Sequence, residues 1–313
     1  MDGDPMASTI TLTVSQQILE KMYQYYEKQI IKIPNHTLFQ AKTTSCTITA
    51  YLSKKVVFQG VNPEIEANKW QKASPTSTTP KKSTLNKKST LPSNIAMLSA
   101  IGCDEVGTGD YFGPIVVCCA SVEKDQIAFL QEMGIKDSKA LKDLEICQLA
   151  HQIETMIPHQ CLVLPNEKYN LMVEKGMNAN SIKAYLHNQA LLKLTTSLPS
   201  LPDFIIMDEF VNEAKYYDYL KKLPKQPTIV SENLHFIQKG ESVHVAVAAA
   251  SILARASFVK YMQIMSKKYQ FELPKGAGAP VDIAGRKFVK LHGKETLQSL
   301  TKWHFANTNK ILK

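Results

Sequence analysis

The 313-residue chain lacks several things, and each shortage removes a class of protein. None of its six cysteines, at 46, 103, 118, 119, 147 and 161, stands in a Cys-x-x-Cys pair. They read as small core residues in a reducing compartment, and neither a disulfide framework nor a zinc site is expected. No uninterrupted apolar run approaches the roughly 18 residues that span a bilayer, so no membrane association is expected. The opening "MDGDPMAS" carries acids where a secretory leader needs basic charge, which makes a cytoplasmic location the expectation. Acids are in deficit overall: 28 Asp and Glu against 37 Lys and Arg give a net charge of +9. That surplus favours a polyanion such as nucleic acid or an anionic membrane surface and says nothing of fold.

Acids vanish altogether over residues 71–94, "QKASPTSTTPKKSTLNKKSTLPSN". Ser, Thr, Pro and Lys offer too little apolar area to offset the entropy of ordering, so this stretch reads as a flexible basic linker. Ahead of it, residues 1–70 read as a small domain. Ile18, Met22, Tyr26 and Ile30 recur at helical spacing behind Ser15, a ready N-cap. Three β-like runs follow, "TLFQAKTT", "CTITAYLS" and "KVVFQG", then a helix opened by Asn62 and Pro63. Ile48 and Ala50 share one strand face while Thr47, Thr49 and Tyr51 share the other. One face of such a sheet packs helices and the other stays open, which suits docking better than chemistry.

Residues 95–313 read as a larger α/β domain. Strands near 97–105 and 114–122 flank a Gly-rich turn and form a hairpin. Helices are expected near 124–133 and 141–157, then a strand at "HQCLVLP" and a helix in "NANSIKAYLHNQALLKLTTSL" with Asn180 or Ser181 near its start. A strand at "DFIIMDEF", a helix at "NEAKYYDYLKKL" and a strand at "PTIVSENL" follow. One long Ala-rich helix, "SVHVAVAAASILARASFVKYMQIMSKKY", and two more split by Gly293 close the chain.

The chemistry concentrates in "IGCDEVGTGDYFGPIVV". An apolar strand runs into Asp104 and Glu105, and such charges at a buried strand end need a metal ion, a basic partner or solvent. Neighbours on a strand point to opposite faces, so both reach one metal only where the strand bends or ends. "IIMDEF" supplies a second buried strand that ends in acid, Asp208. Glu241 stands beside Gly240 before the long helix, where an acid is also favoured by the helix dipole. Four such carboxylates suit two hard divalent cations in phosphodiester chemistry. Backbone N–H groups of Gly107–Gly109 and the loop of Ser138 and Lys139 can meet phosphate or sugar oxygens.

Six segments in order, "DEVGTGDYFGPIVV", "KDSKAL", "MNANSIKAYLHNQAL", "MDEF", "GESVHVAVAAASILARA" and "LPKGAG", resemble bacterial ribonuclease HIII within the type 2 ribonuclease H group. "TLFQAKTTSCTITAYLSKKVVFQG" resembles that family's TATA-box-binding-protein-like extension. The resemblance implies an α/β fold: a ribonuclease-H-like mixed sheet flanked by helices, preceded by a small α+β domain that binds substrate. It implies hydrolysis of the RNA strand of RNA–DNA hybrids to 5′-phosphate and 3′-hydroxyl ends. Asp104, Glu105, Asp208 and Glu241 would be both catalytic acids and ligands of Mg²⁺ or Mn²⁺, with two ions present when substrate is bound. Gly107, Thr108, Gly109, Ser138 and Lys139 would contact substrate, and the enzyme would be a monomer. Thr108 departs from the Gly-Arg-Gly of ribonuclease HII, so longer RNA stretches are the expected substrates. His187, His244 and His292 lack a metal-ligand spacing and read as structural.

Overall fold

The computed structural model describes residues 8–32, 37–51, 54–71, 92, 94–135, 141–224 and 227–313. Most of the expected linker, and Ser138 and Lys139, lie outside them. Two compact units are present, Met1–Leu91 and Pro92–Lys313.

In the first unit, β1 (Ser8–Thr13), α1 (Gln16–Tyr26), β2 (Ile30–Lys32), β3 (Thr37–Lys42), β4 (Cys46–Tyr51), β5 (Lys55–Gly60) and α2 (Pro63–Gln71) follow in order. The strands form an antiparallel sheet, β1-β5-β4-β3-β2. Ser15 caps α1 as expected, its hydroxyl accepting from Ile18 N–H at 3.4 Å. The sheet has two strands more than the sequence pattern suggested. Ile30 continues the helical stripe of Ile18, Met22 and Tyr26, so periodicity alone carried the helix too far. The chain instead leaves α1 at Tyr26, makes one tight turn over Glu27–Gln29 and enters β2. Phe39, Ile48, Ala50 and Phe58 are buried with Leu19, Met22 and Tyr26. Gln40, Thr47, Thr49 and Tyr51 are only partly buried, and Gln40 Nε2 donates to Thr49 Oγ1 at 2.9 Å.

The second unit begins with β6 (Ala100–Val106) and β7 (Ile115–Val122), the expected hairpin, paired from Ala100 opposite Val122 to Val106 opposite Val116. Then come α3 (Ile127–Glu132), α4 (Asp143–Glu154), β8 (His159–Leu164), α5 (Asn166–Glu174) and α6 (Ala179–Ser197). They are followed by β9 (Phe204–Asp208), α7 (Glu213–Lys221), β10 (Leu234–Ile237) and α8 (Gly240–Val243). The chain closes with α9 (Val245–Lys268), α10 (Ala279–His292), α11 (Lys294–Leu300) and α12 (Ala306–Leu312). The sheet order is β10-β9-β6-β7-β8, with β10, β9 and β6 parallel and β7 and β8 antiparallel.

α6 starts at Ala179, so Asn180 and Ser181 stand near its start as expected, and Asn178 caps it, its side chain accepting from Ser181 N–H at 2.9 Å. Several local expectations shift. α5 was not expected, and three helices rather than two close the chain. The strand expected in "PTIVSENL" falls on Leu234–Ile237 instead. The side chain of Asn188 binds Thr228 O at 2.8 Å and Val230 N–H at 3.0 Å, so those backbone groups find partners without a ladder. The long Ala-rich helix is broken at His244, which is extended and caps α9 through Nδ1 and Ala246 N–H. His244 is thus structural, as expected. Cys118 and Cys161, directly opposed across β7 and β8, are joined in a disulfide, which corrects the reading of every cysteine as an unlinked core residue.

α9 lies against β6 and β7, and its alanines let it come close. Gly102 makes the crossing possible: a Cβ there would stand 2.1 Å from Val247 N and 2.2 Å from Ala246 C. By length and composition α9 could cross a membrane, but 72% of its most apolar window is buried inside this fold. It is the core helix of the unit.

Candidate active site

Strand alternation places Asp104 and Glu105 on opposite faces of the sheet. β6 does not end at the pair but continues through Val106, so each acid keeps its own surroundings. Asp104 shares the α9 face with Gly102. Glu105 shares the other face with Ile101 and Cys103, which pack in the cluster containing α6.

Parallel pairing of β6 with β9 runs to Cys103 opposite Met207, so Asp104 and Asp208 are the next residues on adjacent strands. Neighbouring strands lie about 4.8 Å apart, which brings the two acids together on the α9 face. Asp208 Oδ1 accepts from Gly240 N–H at 2.7 Å. Lys239, in a left-handed conformation at φ 55°, turns the chain into that contact. Glu241 follows at once in the first turn of α8, half-buried. Burial pushes the Asp104 carboxyl up to about 7, and the charges of Glu105 and Asp208 add to it. Hydrogen bonds from Ser251 on α9 and from Glu105 N–H, the latter at 2.7 Å, act the other way.

Glu105 is treated in the opposite manner. Lys183 Nζ donates to Oε1 at 2.8 Å and His187 Nε2 to Oε2 at 2.9 Å. Burial works against this carboxylate, but His187 and Lys183 outweigh it and hold its pKa below the ordinary value. Burial lowers the imidazole of His187, yet the adjacent Cys119 sulfur and the hydrogen-bonded Glu105 carboxylate leave its pKa raised to about 9. Phe210 closes the group: its ring stacks on His187 at 5.3 Å between centroids and lies 4.3 Å beneath Lys183 Nζ.

The turn after the strand is equally defined. Gly107 has φ +90°, and a Cβ there would meet Pro114 O at 2.1 Å and the Phe258 ring at 3.0 Å. Asp110 N–H closes the turn onto Gly107 O at 3.3 Å. Gly109 is exposed, with open space where a side chain would be. Thr108 Oγ1 is buried with no hydrogen-bond partner among the described residues.

Of the nine expected site residues, seven lie among the described residues. The fold brings Asp104 to Asp208 and its neighbour Gly240, puts Glu105 next to them on the reverse face, and sets Gly107–Gly109 at the end of β6. Sequence reasoning missed Lys183, Ser251 and Phe210, and read His187 as structural only. The available signal was Lys183 and His187 at i and i+4 of one helix, a polar pair in an otherwise apolar face. A carboxylate cluster with surplus negative charge, one member of which is pushed towards neutrality, fits a hard divalent cation better than it fits solvent.

A mixed five-stranded sheet carrying this carboxylate cluster defines a nuclease of the ribonuclease H type. The ribonuclease HII family profile matches residues 101–308, and a domain of unknown function (DUF3378) matches residues 9–84. Ribonuclease HIII of Bacillus mycoides (strain KBAB4) is 47% identical over 98% of this chain and 99% of its own. Ribonuclease HIII of Listeria monocytogenes serotype 4b (strain CLIP80459) is 47% identical over the same shares, 98% and 99%. A crystal structure of Bst-RNase HIII in complex with Mn²⁺ superposes with a TM-score of 0.67 at 42% identity, covering 97% of this chain and 98% of that one. The chain belongs to the ribonuclease HIII family, which cleaves the RNA strand of RNA–DNA hybrids.

Proposed function

We propose that Asp104, Glu105, Asp208 and Glu241 hold two divalent cations, Mg²⁺ or Mn²⁺, and cut hybrid RNA to 5′-phosphate and 3′-hydroxyl ends. The observation that carries this reading is Asp104, raised to about 7 by burial and by the two carboxylates beside it. Bound there, the cations would supply an activated water and charge stabilisation for the departing 3′-oxygen. The chain's own residues do the rest. Asp104 and Asp208 present oxygens on one sheet face, while Lys183 and His187 keep Glu105 ionised and fixed in direction. The backbone of Gly107, Thr108 and Gly109 reads the ribose 2′-hydroxyl, the group that tells RNA from DNA. Ser138 and Lys139 contact the backbone near the cut.

Residues 1–70 form the substrate-binding domain, 71–94 a basic linker and 95–313 the catalytic domain, in a monomer that works in the cytoplasm. The open sheet face around Thr47, Thr49 and Tyr51 docks the hybrid, with affinity that falls as salt rises. The test is cleavage of three labelled duplexes with Mg²⁺, Mn²⁺ or chelator: RNA–DNA hybrid, all-DNA, and DNA with one ribonucleotide. Metal-dependent cutting of the hybrid alone is expected. Cutting of all-DNA, or binding without cutting, overturns the reading. Deleting residues 1–70 is expected to raise KM more than it lowers kcat, and unchanged hybrid affinity would refute the docking role.

A further inference from the structure

Lys302 is wholly buried, and its Nζ donates to the backbone oxygens of Asp110 at 2.7 Å and Gly113 at 2.8 Å. Both carbonyls belong to the segment that runs straight on from Gly107–Gly109. The same short stretch of chain holds that segment through its backbone. Lys302 N–H donates to Tyr111 O at 2.8 Å, Thr301 bridges Phe112, and Gly113 N–H donates to Leu300 O at 3.1 Å. On the other flank, Tyr111 N–H donates to Gly276 O at 2.8 Å and Gly276 N–H to Asp110 Oδ1 at 2.5 Å.

The clamp is itself anchored. Asn170 on α5 binds Thr301 O at 2.9 Å, Gln298 O at 3.0 Å and Trp303 N–H at 3.0 Å. A buried ammonium is costly, and burial draws Lys302 down to about 7. An apolar side chain would fill the same space without that cost. The difference the amine nitrogen makes is direction: its two N–H bonds fix where the carbonyls of Asp110 and Gly113 point. Asp110 in turn closes the turn onto Gly107 O, so fixing Asp110 fixes the peptide planes of Thr108 and Gly109.

We propose that Lys302 is a positioning residue for RNA recognition, holding the Gly107–Gly109 turn in register with the ribose of the strand being cut. This rests on the reading of that turn as the ribose contact. Lys302 has no exposed surface to offer a substrate and its Nζ bonds carbonyls of the turn's own segment, so its effect runs through the turn.

The test is a double-mutant cycle between Lys302→Met and a single 2′-deoxy substitution at the ribose flanking a defined cut. In the unaltered enzyme the deoxy substitution lowers kcat/KM. In Lys302→Met the all-ribose hybrid is cut with kcat/KM down about 10²-fold, the scale of a misplaced contact, and the deoxy penalty shrinks at least about tenfold. Mn²⁺ affinity by calorimetry stays within about twofold, since no ligand is touched. An undiminished deoxy penalty in Lys302→Met, with any loss matched by a lower melting temperature, assigns the residue to stability and overturns the proposal. No deoxy penalty in the unaltered enzyme overturns both this proposal and the ribose reading of the turn. Should Lys302→Met fail to fold, hydrogen exchange on the unaltered protein decides. Amides 110–113 are expected to be as protected without substrate as those of β6, and exchange at the rate of an exposed turn would refute the clamp.

Discussion

Asp104 and Glu105 are joined by one peptide bond, yet the two faces of the sheet treat them as different chemical objects. On the α9 face, burial and the neighbouring charges of Glu105 and Asp208 push Asp104 up to about 7. On the α6 face, His187 and Lys183 hold Glu105 below its ordinary value. One face stores unbalanced negative charge that a divalent cation would relieve; the other neutralises its acid with the protein's own cations. The contrast teaches that the Asp-Glu pair is not a uniform chelate. Asp104 contributes charge demand, and Glu105 contributes a carboxylate already fixed in place.

The largest expected effect tests the demand side. Asp104→Asn should lower hybrid cleavage by at least about 10³-fold, as loss of metal-centred catalysis does. Its melting temperature without metal should hold or rise, because a buried charge is removed. A mutant that cuts at the normal rate would end the assignment.

Glu105→Gln should act with the opposite sign on stability. It strands Lys183 and His187 without their shared carboxylate, and breaking such a buried pair costs about 3–5 kcal/mol. Chemical denaturation of the two variants side by side measures the contrast, and equal stabilities would erase it.

pH sharpens it further. The folded Asp104 value, about 7, lies above its ordinary 3.8, so its contribution favours the metal-free fold below pH 3.8 and is lost as pH climbs through 7. Glu105 runs the other way: its lowered pKa gives stability that is present above the ordinary carboxylate range and lost as acid protonates it. His187, raised to about 9, adds stability at neutral pH that fades as pH rises through 9. Protons and metal compete for Asp104, so Mn²⁺ affinity should rise by up to about tenfold per pH unit below 7 and level off above it. Calorimetric titration at several pH values reads this, and a flat profile would place the metal elsewhere.

The smallest effect expected is that of Ser251→Ala, which removes a hydrogen bond that favours the ionised form of Asp104. A net loss of about 1 kcal/mol would weaken Mn²⁺ binding about fivefold at pH 6.5 while leaving Glu105 untouched. An equal loss in the stability attributed to Glu105 would mean the two faces are coupled.

Much of this was legible in the chain. Short apolar runs ending in acid located β6 and β9, and alternation already said that Asp104 and Glu105 share one metal only where the strand bends or ends; that β6 runs on through Val106 was not legible. Ser15 announced its helix, and Thr47, Thr49 and Tyr51 announced an open face. Less legible was anything that depends on a partner distant in sequence. β2 was hidden in the stripe of α1, and β10 lay just past the residues with the strongest β signal, whose backbone Asn188 satisfies instead. Lys183 and His187 stand 78 and 82 residues from Glu105, so only packing reveals their charge partner.

The sequence by itself determined the basic surplus, the acid-free stretch of residues 71–94 and which apolar runs end in acid, because composition and period are local properties. Tertiary structure alone decided which acid is starved of positive charge and which is supplied with it. It also decided that a lysine 192 residues away from Asp110 would hold that residue's carbonyl. The reason is that an ionisable group answers to burial and to charges within a few ångströms, and those neighbours are chosen by the fold and not by the order of the chain.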